Sequence, residues 1–129
     1  MNLKKNIELY QALLKDLIEN GSTFEEANAS ERFVKEIVNE RREFLKKLSN
    51  EELVYLECAM RIGIELLNQV EVNKLNDGVK VDFFNRKLNE LKTSKDYGKT
   101  ALYQLETKAK EKVSEALRVF EIEYKNIEI

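Results

Sequence analysis

The chain reads as an all-α protein, a bundle of four to five helices in one domain spanning residues 1–129, and three observations predict it. It contains no proline, the residue that removes a backbone donor and clashes with the preceding helical turn. Apolar residues recur at three- and four-residue spacing over most of its length. Finally, in Leu53-Val-Tyr-Leu-Glu-Cys-Ala-Met-Arg-Ile-Gly-Ile-Glu-Leu-Leu67 the only charged residues, Glu57, Arg61 and Glu65, fall every fourth position. On a helix they stack into one narrow polar ribbon, and the rest of the cylinder is apolar. Such a helix needs neighbours around most of its circumference, so the central buried helix is placed at about 50–75.

The first helix follows from Leu3, Ile7, Tyr10, Leu14 and Leu17, which fall within about 80° of arc at helical pitch. Leu13 and Ile18 flank this stripe, and Asn20-Gly21 ends it. Thr23 with Glu26 and Asn28 with Glu31 both have capping-box spacing, so the second helix starts at Phe24 or restarts near Ala29. Its stripe is Val34, Ile37, Val38, Leu45 and Leu48. The sharpest boundary is Leu48-Ser49-Asn50-Glu51-Glu52-Leu53. Here Ser49 and Glu52 can cap each other's backbone N–H while Leu48 staples onto Leu53. So tight a joint predicts an antiparallel hairpin of the second and third helices.

Beyond it, Asn76-Asp77-Gly78 is a turn signal. The partial alternation of residues 70–81 allows either a small β-hairpin or a helix that stops at Asp77-Gly78. Asp82 is then expected to cap a short helix carrying Phe84, Leu88 and Leu91. The last element is a long C-terminal helix at about 100–125, with a stripe of Leu102, Leu105, Ala109, Val113, Ala116, Phe120 and Tyr124.

Composition narrows the function classes. The formal charge of −2 gives no long-range attraction to nucleic acid or anionic lipid. No apolar run approaches the ~18–20 residues of a membrane span, and residues 1–7 lack a signal peptide's apolar core. A single cysteine permits no intrachain disulfide, and a cytoplasmic setting is the simplest reading. The Asn- and Lys-rich wording suggests a bacterial or phage origin.

Histidine is absent, which removes the commonest general base and zinc ligand. Cys58 has no histidine to activate it and reads as core filler. Gly98-Lys99-Thr100 lacks the earlier glycine of a phosphate loop, where Thr93 stands, so it reads as a helix start. Glu36, Glu40 and Glu43 could supply half of the carboxylate cage of an Mg²⁺-dependent all-α nucleotide hydrolase, but no second half follows. No catalytic, cofactor or metal residue is assigned.

Three sets of residues break the bland pattern. Arg41 sits inside the second helix's apolar stripe and must find an acid, water or a partner. In the expected hairpin it lies level with Glu57, which predicts an internal polar pair, Arg41–Glu57, extended by Arg61 and Glu65. Arg42, Lys46 and Lys47 are the candidate nucleic-acid contacts, without any recognition motif beside them. Phe83, Phe84 and Tyr103 are the candidate partner contacts, because adjacent rings are hard to bury on one stripe and exposed rings often anchor interfaces. The leading reading is a small non-catalytic protein-binding module, a regulator or inhibitor that occupies a protein partner. Nucleic-acid binding through the second helix is the alternative, and the near-heptad stripes also allow a homo-oligomer.

Overall fold

The computed structural model describes residues 2–21, 40–68 and 76–129, and among them every regular element is a helix. Helix α1 spans Leu3–Gly21, α2 is described over 40–46, α3 spans Asn50–Asn68, α4 Asp77–Leu91, α5 Tyr97–Thr107 and α6 Lys110–Glu123. The all-α bundle is as the apolar spacing predicts. Helix α3 is its centre: it packs against α1, α4, α5 and α6, while α1 also packs on α6. Ten of its residues are buried, Glu57 among them, as expected of a helix that is apolar nearly all round.

The Ser49 joint forms as its sequence requires. Glu52 N–H donates to Ser49 Oγ at 3.1 Å, and Ser49 N–H donates to Glu52 Oε1 at 3.0 Å. The same carboxylate accepts from the Asn6 amide of α1 at 2.9 Å, so the cap also ties α1 to the start of α3. Leu48 and Leu53 both pack into the core.

Several expectations need comment. The long C-terminal helix is two helices, with Lys108 and Ala109 extended between them (ψ 148° and 128°). No glycine or proline marks the break; side chains of α1 and α2 bond the carbonyls beside it, Leu105 O and Lys108 O. Residues 77–81 open α4, so Asp77-Gly78 neither ends a helix nor turns a β-hairpin, and Asp82 is not the cap. Asn76 takes that role six residues earlier, its side chain accepting from Val79 N–H at 2.9 Å, because asparagine in extended backbone is among the best helix starters. The expected extension of α3 through 69–75 lies outside the described residues. So do both starts proposed for α2, its stripe residues Val34, Ile37 and Val38, and Glu36.

Packing of α3 on α6 is close enough to need glycine. A Cβ built on Gly63 would lie 1.9 Å from the carbonyl oxygen of Ala116. Below that contact Phe84 sits among Tyr55, Phe120 and Tyr124, with ring centroids 5.8, 5.9 and 6.4 Å away.

Candidate functional site

Arg41 organises the face where α2 meets α5. It is only 5% exposed, and its guanidinium turns away from α3 toward the end of α5. Nη1 donates to Lys108 O at 2.9 Å, Nη2 donates to Leu105 O, and Nε donates to the Tyr10 hydroxyl at 3.2 Å. The Tyr10 hydroxyl in turn donates to Leu105 O at 2.7 Å, and Phe44 stacks on its ring at 5.5 Å. A buried cation here is offset by the partial negative charge of a helix C-terminus and by a hydrogen bond from each of its three nitrogens. Burial pushes the Tyr10 phenol above its ordinary pKa, only partly opposed by Arg41.

The internal pair expected from the hairpin is therefore not formed. No Arg41–Glu57 ion pair within 4.0 Å exists among the described residues. Arg41 faces α1 and α5, and Glu57, 1% exposed, takes Arg61 of its own helix at 2.8 Å. Glu65, the last member of the ribbon, pairs with Lys87 of α4.

With Arg41 turned inward, its neighbour Arg42 lies at the surface 3.6 Å from Glu106 Oε2 of α5. The Glu106 side chain is 12% exposed, and Oε2 accepts no hydrogen bond. One turn back along α5 stands Tyr103, 60% exposed and the most exposed large apolar side chain of the described residues. Lys46, one turn after Arg42 on α2, and Lys47 are exposed as well. Arg42 of α2 and the ring of Tyr103, which the sequence keeps apart, are thus both neighbours of Glu106.

The other two rings go elsewhere. Phe84 is 1% exposed in the aromatic cluster, so it is a core residue and not a partner contact. The i,i+1 spacing that argued for exposure is met by leaving Phe83 half-buried under Lys87, whose Nζ is 5.9 Å from the ring centroid. Cys58 is buried with its thiol donating to Phe84 O at 3.6 Å, and burial raises its pKa, which keeps it in the unreactive thiol form. Glu40 and Glu43 are exposed, and no group of three or more potential metal ligands comes together among the described residues.

An open cavity of about 440 Å³ lies between the start of α1 and the chain's last residues, floored by Leu3, Phe120 and Tyr124. Its buried phenol, Tyr124, already donates to Lys80 O at 3.0 Å, and burial pushes that phenol's pKa up to about 12. No described helix is long and apolar enough to cross a membrane.

Two residues central to this face, Tyr10 and Glu106, were not singled out from sequence. Tyr10 carried a usable signal: a hydroxyl in the middle of an otherwise apolar stripe must find a partner when buried. Glu106 carried none. No known protein family, curated protein or solved structure matches the chain.

Proposed function

We propose that this chain is a non-catalytic protein-binding module, a small cytoplasmic regulator or inhibitor of bacterial or phage origin that acts by occupying a protein partner. The observation that carries the reading is Tyr103, 60% exposed on the outer side of α5 beside the Arg42–Glu106 pair. An amphipathic ring ringed by charge is a frequent interface anchor, since it buries much apolar area at little entropy cost. The surface charges beside the ring are mixed, Arg42, Lys46 and Lys47 against Glu40, Glu43 and Glu106, so the face fits a protein with a pocket for the phenol and a rim carrying both signs.

Capture from a bacterial host lysate on wild-type protein, set against Tyr103→Ala, identifies a candidate, which is then purified. Its affinity should fall about 30-fold on Tyr103→Ala, the scale of an interface hot spot. It should also fall on Arg42→Glu, with circular dichroism unchanged in both variants. A partner bound equally by all three proteins refutes the site. Nucleic-acid affinity that drops steeply with salt, and disappears on charge reversal at Arg42, Lys46 and Lys47, would replace this reading with the alternative one.

A further inference from the structure

The joint between α5 and α6 has a sequence that argues for no joint at all. Residues 106–112 read Glu-Thr-Lys-Ala-Lys-Glu-Lys, mostly strong helix formers. Ala109, at the N-cap of α6, is a poor capping residue and makes no side-chain cap. In an unbroken helix Leu105 O would accept from Ala109 N–H, and Lys108 O from Lys112 N–H. Those are the two carbonyls that Arg41 occupies, with Tyr10 adding a second bond to Leu105 O. The bend is thus held by side chains of α1 and α2 and opposed by its own residues.

We propose that this joint is a hinge, and that its straightened form lets two copies of the chain exchange α6 in a domain-swapped dimer. Straightening turns Tyr97–Glu123 into one helix of about 40 Å and lifts α6 off α3 and α1 of its own chain. That uncovers Val113, Ala116, Leu117 and Phe120, a buried apolar face that needs cover. The surface shaped for it is α3 at Gly63, where the backbone of Ala116 seats without room for a Cβ. A second copy offers that same groove, so exchange restores the contacts of α6 and adds the helical hydrogen bonds of the former joint. This inference stands apart from the partner-binding reading, because Tyr103→Ala leaves the hinge untouched.

Lys110→Pro separates the two forms. Lys110 is the first residue of α6, a position that tolerates proline, and Ala109 already has the extended backbone that proline requires before it. In a continuous helix the same proline removes a hydrogen bond and clashes with the preceding turn. Wild type, Tyr10→Phe, Arg41→Met and Lys110→Pro are refolded at high concentration and their masses measured by light scattering. Wild type should yield a dimer, and Arg41→Met should favour it by about tenfold or more, the scale of one lost charge-assisted hydrogen bond. Lys110→Pro should stay monomeric, alone or combined with Arg41→Met. Spin labels at the exposed positions Tyr103→Cys and Ile122→Cys should report about 28 Å within a chain of the dimer, the length of straight helix between them.

Tyr10→Phe keeps the test open if Arg41→Met fails to fold. The proposal is overturned if wild type and Tyr10→Phe both remain monomeric after concentrated refolding. It is equally overturned if the dimer survives Lys110→Pro, which would mark it as ordinary surface association.

Discussion

Gly63→Ala is the sharpest test of how the bundle is put together. The added methyl would lie 1.9 Å from the oxygen, 2.5 Å from the carbonyl carbon and 2.9 Å from the Cα of Ala116. All three are backbone atoms in the middle of α6, so no rotamer change can move them aside. Helix α6 must retreat by about 1 Å or more, taking Val113, Leu117 and Phe120 with it, and overpacking of this kind costs about 1–3 kcal/mol, at times more. Alanine's better helix propensity returns about 1 kcal/mol. Because a whole helix has to shift, the upper end of the penalty applies, and the net loss is about 2 kcal/mol. For a domain of this size that lowers Tm by about 8 °C. Gly98→Ala is the milder comparison, since the nearest atoms its Cβ would meet are Asn50 Oδ1 and Cγ, at 2.1 and 2.5 Å, which rotation of that side chain moves aside, and Asn50 Cβ at 2.9 Å, which asks for a shift of a few tenths of an ångström. It should change stability by less than about 1 kcal/mol. Thermal denaturation of both variants decides: a Gly63→Ala protein as stable as wild type would refute the close seating of α3 on α6.

Further outcomes follow from single contacts. Ser49→Ala removes the cap of α3 and should cost about 1 kcal/mol, seen as a lower urea midpoint at unchanged slope. Phe84→Ala should cost about 3–5 kcal/mol and Phe83→Ala far less in the same titration, because only Phe84 is enclosed by other rings. Hydrogen bonds from Asn6 and from Ser49 N–H hold the Glu52 carboxyl below its ordinary value of 4.5. Its contribution is therefore intact above pH 4.5 and lost as pH falls through the folded-state value. Asn6→Ala should shrink that acid loss in a series of melts against pH. Cys58 should resist a thiol reagent in the native protein and react at a free-thiol rate once denatured, which mass spectrometry reads directly.

What could be read from sequence was what the sequence encodes locally. The Ser49–Glu52 box and the apolar circumference of α3 are written within one or two turns, and both appear where their spacing places them. The start of α4 at Asn76 is equally local, but Asn76-Asp77-Gly78 is also a turn signal and reads as the stop of the preceding helix, whereas Asp77 and Gly78 open α4. The break at Lys108-Ala109 had no local sign, since Leu105, Ala109 and Val113 keep an unbroken stripe through it. Arg41, inside an apolar stripe, needs a partner, and its guanidinium has three. Charge complementarity suggested Glu57, yet backbone carbonyls at the end of α5 won, and carbonyls carry no letter in a sequence. For the candidate face, Arg42 and Tyr103 were each visible as types, but their common neighbour Glu106 depends on how α2 lies against α5.

The three-way contact at Arg41 also bears on the order in which the chain can fold. Its partners are 31 residues before it and 64 residues after it, so the site is complete only after two long loops have closed. Loop closure costs entropy before any contact repays it. The capping box at Ser49 needs only neighbours in sequence and can form early. The bend after α5 needs α1, α2 and α5 all in place, which makes it one of the last features to set.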